Sequence, residues 1–419
     1  MGLRFAAHDG VFATAASTRP KIRRRRRTGI SSDPEKRMTS SEPDPLPPET
    51  SAPAPAPSIP KGRALGFGDP VPMFKAASDV NPNFQFASLG GRWMVLMFFG
   101  SLGHPVFKAA HDQLLRRRAL FDDAHAMFFG VSMDPADRSE RGLKNNLPGL
   151  RYFYDFDKAV TRRFGLADDE TFTPTVFLVD QTLRIAAAEP IHRLDAVLDE
   201  LVARLEAERS VPYGMPAPVL TVPRVLEPEY CQALIEHYEA LGGKVSGFMR
   251  EIDGVTVPML DDGVKKRRDM DIADEGLSNH LRMALSYRLF TPVLQAFCWR
   301  ATRIERFIVA CYAAEDGGFF KSHRDNTTPG TAHRRFAVSI NLNDDFDGGD
   351  LRFPEFGPQT YRPPLGGAVV FSCSLLHEAT PVTRGVRYAT LPFLYDEQGR
   401  AIRDANQSKV APASRLAAP

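Results

Sequence analysis

The stretch FFKSHRDN, residues 319–326, sets His323 and Asp325 two residues apart. Side chains at that separation on an extended segment share one face, so both could reach a single ion while Arg324 points away. A second histidine, His377, follows 54 residues later at the end of the apolar run GGAVVFSCSLL. Two histidines and a carboxylate form a facial triad suited to non-haem iron(II), with coordination positions left open for other ligands. The His-x-Asp spacing alone is a weak signal in a chain with ten histidines, and a polar turn is the plain alternative.

Such a triad needs rigid strands beneath it. Beyond Thr302 the chain turns to short apolar segments: RIERFIVACYA, RRFAVSINLN, GDLRFPEF, QTYRPP, GGAVVFSCSLL and VRYATLPFLY. Gly, Pro and Asn/Asp turns separate them, which predicts a β-sandwich or barrel rather than a parallel sheet. Upstream, EPEYCQALIEHYEALG reads as a helix with an acidic start and a glycine stop. SNHLRMALSYRLFTPVLQAFCW reads as a second helical stretch, interrupted at Pro292. Two helices supporting a jelly-roll double sheet are the expected architecture for residues 211–400. Between these helices, residues 246–272 are charged and glycine-punctuated, so a lid or substrate loop is expected. Its basic run Lys265 to Arg268 reads as a solvated face, with attraction of an acidic partner as the alternative.

Residues 63–210 follow a different pattern. WMVLMFF, AMFFGVSM and TVFLVD are apolar runs of strand length. PVFKAAHDQLLRRRALF, opened by Pro105, DPADRSERGLKNN, opened by a capping Asp, and LDAVLDELVARLEAE alternate with them as helices. Strands alternating with helices predict a sheet covered by helices.

The ends differ again. Residues 1–30 carry eight basic side chains against one acid, so the body of the chain is mildly acidic under a total of +2. The five-arginine run reads as a solvated disordered segment, with nucleic-acid binding, anionic lipid or targeting as alternatives; initiation at Met38 would remove it. Pro43 to Pro60 holds eight prolines in eighteen residues, an extended linker. Residues 1–62 and 401–419 are thus expected to be disordered tails. No run approaches the roughly 18 apolar residues of a membrane helix. The four cysteines, Cys231, Cys298, Cys311 and Cys373, show no Cys-x-x-Cys spacing. Cys298 and Cys311 read as small core residues, and a reducing cytoplasm suits the set.

Two family resemblances organise these readings. MFFGSLGHPVF, GVSMDPADRSERGLKNN, RYFYDFDKAVTRRFGL and TPTVFLVD resemble the thioredoxin-like fold in its peroxiredoxin branch, with Thr173-Pro174 in the place of the family's cis-proline. The matching active-site turn reads Gly103-His104-Pro105-Val106, and the first cysteine of the chain is Cys231. Neither histidine nor serine can perform thiol redox steps. A binding, dimerising or substrate-presenting role is therefore expected for this domain, and a thiol peroxidase is disfavoured; His104 reads as a surface histidine, with anion binding as the alternative.

The second resemblance rests on His323-x-Asp325, GGDLRFPEFG, GGAVVFSCSLLHEA and VTRGVRYATL, taken in that order. The series resembles the prolyl 4-hydroxylase-like branch of the 2-oxoglutarate and iron(II)-dependent dioxygenases. The resemblance implies a double-stranded β-helix, iron held by His323, Asp325 and His377, and 2-oxoglutarate as co-substrate, with ascorbate as a candidate reductant. It places Arg387 against the distal carboxylate of 2-oxoglutarate, a role that a planar, permanently charged donor fills well. Arg384 is the competitor, but on a strand it would face the other side. Tyr312 matches a tyrosine that touches the same co-substrate, with a core aromatic as the alternative. The chain departs from many prolyl hydroxylases in having Arg387 where they have lysine and Asn341 where they have tyrosine. The implied reaction is hydroxylation of an unactivated C–H bond coupled to release of succinate and carbon dioxide. A protein or peptide substrate is favoured by the appended domain; a small metabolite and a non-catalytic binding protein are the alternatives, and a homodimer is an open option.

Overall fold

The computed structural model describes residues 63–210 and 214–411, so the arginine run, Met38, the proline-rich segment and residues 412–419 lie outside the described residues. In the first region a five-stranded sheet runs in the order 150–154, 126–132, 93–100, 175–179, 185–190. The first three strands are parallel and the last two antiparallel. Trp93–Gly100 is buried at every position. Its alternate side chains feed two separate cores, Met94, Leu96 and Phe98 on one face and Val95, Met97 and Phe99 on the other. That two-sided burial explains an unbroken apolar run in place of alternation. Helices Pro105–Arg116 and Leu194–Ser210 cover the second face.

Two expectations here need correction. DPADRSERGLKNN yields only a short helix, Pro135–Ser139, although Asp134 does cap it by accepting from the Ala136 N–H. The chain turns out of the helix where the Arg141 N–H closes on the Ala136 carbonyl and Gly142 takes a left-handed φ of 64°. Thr173-Pro174 is trans; the cis peptide bond among the described residues is Leu147-Pro148.

The second region has two facing sheets. A five-stranded sheet runs in the order 265–266, 319–323, 377–379, 351–352, 360–361, and opposite it lies a ten-stranded sheet whose central strands are 336–341, 382–390 and 308–313. Helices Pro228–Leu241 and Glu275–Arg288 pack on the larger sheet through Leu234, Leu281 and Leu285. The helical stretch predicted to break at Pro292 breaks instead at Leu289, and Pro292 sits in the first turn of Phe290–Phe297. Proline has no N–H to lose there.

Four further expectations need correction. The loop expected over residues 246–272 is instead a hairpin, Phe248–Ile252 with Val255–Met259, followed by strands Lys265–Lys266 and Arg268–Asp271. Lys265 and Arg267 are buried while Lys266 and Arg268 are exposed, so only one side of the basic run is solvated. The tail from residue 401 continues the helix Glu397–Ala405, capped by Asp396, and Val410 bridges to Thr256. Cys298 is exposed, ending its helix in the left-handed conformation, while Cys311 is in the core. Among the described residues, no helix is long and apolar enough to cross a membrane.

Candidate metal centre and its anion-accepting cavity

His323 ends strand Phe319–His323 and His377 opens strand His377–Ala379, and the two residues are direct antiparallel partners. The register alone sets their rings 4.3 Å apart. Asp325 is held two residues further on, its N–H donating to the Cys373 carbonyl at 2.9 Å. One donor atom from each of the three lies within 4.8 Å of the others. His323 Nε2 is 3.5 Å from Asp325 Oδ1, and His377 Nε2 is 3.3 Å from Asp325 Oδ2.

The imidazoles are oriented for coordination. His323 Nδ1 lies 2.7 Å from the Lys321 carbonyl and His377 Nδ1 lies 3.0 Å from the Leu375 carbonyl. A carbonyl only accepts, so each Nδ1 carries the proton and each Nε2 presents its lone pair. Burial, with His377 beside it, lowers His323 to about 4, which keeps its ring neutral near pH 7. For Asp325, burial acts upward but is outweighed by His377 and His323, which hold the carboxyl well below its ordinary range. Two imidazoles and one carboxylate fit a divalent first-row metal.

Behind the triad a small cavity runs between the sheets to Arg387. Tyr312 and Arg387 are cross-strand partners, both buried. Arg387 Nε donates to Asn341 Oδ1 at 3.0 Å and Nη2 to Ser339 Oγ at 2.9 Å. Its Nη1 has no bond within the described residues, so one end of a fixed guanidinium is free for a carboxylate. Burial lowers the Arg387 pKa, yet arginine remains charged at any physiological pH. Arg384 is exposed and pairs with Asp345 and Asp347 instead.

Arg267 was missed by sequence reasoning. It is buried, donates from Nη1 to the Tyr312 hydroxyl at 3.0 Å, pairs with Asp269 at 2.6 Å, and lines the same cavity. By accepting from Arg267, the Tyr312 oxygen is left with its own proton to donate. Asn341, met only as a departure from the family pattern, orients Arg387. The turn at Gly103-His104 contrasts with this arrangement. His104 is exposed, and nearby Ser101, Asp134, Asp137 and Arg141 bond to one another.

Comparisons with known proteins agree with this division. Residues 307–395 match the 2OG-Fe(II) oxygenase superfamily and residues 67–188 the AhpC/TSA family. A PKHD-type hydroxylase of Synechococcus sp. (strain JA-2-3B'a(2-13)) is 29% identical over 118 residues, covering 26% of this chain and 50% of the relative. One from Cupriavidus metallidurans is 26% identical over 189 residues, covering 41% and 75%. The chain thus spans about half the length of the Synechococcus relative. Among solved structures, a Pseudomonas putida prolyl-4-hydroxylase aligns at 18% identity and TM-score 0.32, over 46% of this chain and 98% of its own. Mycobacterium tuberculosis AhpC aligns at 19% and 0.30, over 35% and 96%. The chain joins an AhpC/TSA-family domain to a domain of the 2OG-Fe(II) oxygenase superfamily.

Proposed function

We propose that the protein is an iron(II)- and 2-oxoglutarate-dependent hydroxylase that acts on a protein or peptide side chain. The observation that carries this reading is the triad, its donor atoms within 4.8 Å, opening onto a cavity that ends at a buried arginine. His323 Nε2, Asp325 and His377 Nε2 would hold the metal. Bound iron(II) supplies reductive activation of oxygen, coupled to decarboxylation of 2-oxoglutarate to succinate and carbon dioxide. Arg387 Nη1 receives the distal carboxylate, and Tyr312 donates to the same anion while Arg267 fixes its hydroxyl. Apolar walls from Phe320, Phe371 and Leu391 exclude water from the reacting end. Ascorbate is a suitable reductant for restoring iron(II), and a reducing cytoplasm suits four free cysteines.

The test is succinate formation from 2-oxoglutarate by anaerobically iron-loaded protein on admission of oxygen. Wild type is expected to form succinate in an iron-dependent manner, and His377→Ala and Arg387→Ala to lose it. Normal iron loading and turnover in His377→Ala would overturn the assignment.

A further inference from the structure

The metal centre opens onto a cleft of about 540 Å³ with walls drawn from both domains. On the oxygenase side they include Ser246 to Glu251, Phe320 and Arg306; on the other they include Asn81, Asn83, Phe84, Gln85 and Ser88 of the AhpC/TSA-family domain. His323 and Asp325 lie at its floor.

The junction is built, not incidental. Arg324, between the two candidate ligands, donates twice to the Ala87 carbonyl, from Nε at 3.1 Å and Nη2 at 2.9 Å. The same guanidinium pairs with Glu355 at 2.7 Å, both side chains 8% exposed. A methyl group on Gly90 would lie 2.6 Å from Glu355 Cγ, so the backbone itself closes against the oxygenase. Lys75 bridges to Glu251 of the hairpin at 2.7 Å. The wall is therefore fixed relative to the metal.

Two features of the cleft fit a polypeptide. Phe248–Ile252 belongs to a two-stranded sheet and, among the described residues, pairs with Val255–Met259 alone, which leaves its other backbone edge open beside the cleft. An extended peptide satisfies such edges by main-chain hydrogen bonds. The side-chain amides of Asn83 and Gln85 make no hydrogen bond within the described residues, and each offers a carbonyl acceptor and N–H donors that complement a peptide group.

On the reading of the site given above, we infer that the cysteine-less domain is the outer wall of the prime-substrate cleft. Asn83 and Gln85 select an extended peptide segment and hold its target residue over the triad. The retained fold thus serves recognition in place of thiol chemistry.

The full-length iron-loaded protein is tested with pools of synthetic decapeptides sorted by net charge, following succinate release and the gain of one oxygen by mass spectrometry. At least one pool is expected to accelerate succinate formation and to gain oxygen. With a peptide from that pool, Asn83→Ala combined with Gln85→Ala is expected to raise KM on the order of tenfold, the loss of about two hydrogen bonds, with kcat changed less than about twofold. Ser88→Trp, on an exposed position, is expected to raise KM by occluding the cleft. Unchanged KM in both variants overturns the inference, as does a wild type that makes iron-dependent succinate yet hydroxylates no pool. A wild type that makes no succinate at all overturns the underlying hydroxylase reading instead.

Discussion

Two strand ends in this molecule occupy similar places in their sheets and have opposite fates. After Trp93–Gly100, the polar side chains Ser101, Asp134, Asp137 and Arg141 consume one another's hydrogen-bonding capacity. At the end of Phe319–His323, the histidine Nε2 atoms and the Asp325 carboxylate converge on the cavity that Arg387 lines from its far end. A fold that maintains such an arrangement next to a free Arg387 Nη1 is arranged for ligands, whereas a closed network is arranged for stability.

The largest test of this contrast removes a ligand. Asp325→Ala is expected to lower bound iron to background in metal analysis and to reduce succinate formation by roughly a thousandfold or more. Next, Arg387→Ala is expected to raise KM for 2-oxoglutarate on the order of a hundredfold, as removal of one partner of a buried charge pair does; steady-state kinetics at varied 2-oxoglutarate checks it.

Glu305 provides a pH test within the same domain. Burial pushes its pKa up, but the hydrogen bond from His333 and the charge of Arg334 win, leaving it at about 2 against an ordinary 4.5. A depressed folded-state pKa adds stability that is complete above about 4.5 and lost as pH falls toward 2. Glu305→Gln is expected to be less stable than wild type by about 2–3 kcal/mol at neutral pH, with the difference vanishing between pH 4.5 and 2 in denaturant titrations.

At the closed network, Arg141→Ala is expected to lower stability modestly, because Asp137 is fully buried and keeps only its bonds to Leu102 and Ser132. Thermal unfolding reports it, with 2-oxoglutarate turnover unaffected. The smallest effect belongs to His104→Ala, expected to change the melting profile within about 0.5 kcal/mol, as for an exposed side chain. A large loss of stability there would mean that the turn has kept a function.

What was legible follows from contrast. Trp93–Gly100 and Ala368–Ser372 are buried apolar runs, and hydrophobicity marks them against their surroundings. The positions His323, Asp325, His377, Tyr312 and Arg387, named through resemblance, are brought together by register, His323 against His377 and Tyr312 against Arg387. Strands Lys265–Lys266 and Arg268–Asp271 were hard to see because buried Lys265 and Arg267 alternate with exposed Lys266 and Arg268, so no alternation in polarity marks the run. Arg267 was overlooked for that reason. The helix Glu397–Ala405 was hidden similarly: it is polar over most of its surface, and its start is set by the Asp396 cap, not by an apolar stripe. The turn at Gly103-His104 was readable from composition alone, since no cysteine precedes Cys231.

Arg324 joins neighbours of unlike kind: ligands on either side of it in the chain, and the Ala87 carbonyl of the other domain at its tip. With metal in the site, its binding free energy favours every conformation in which that guanidinium is seated. Unseating the AhpC/TSA-family domain loosens the backbone that carries both ligands, and extracting the metal loosens the domain. A chelator is thereby expected to lower the stability of the neighbouring domain along with that of the site.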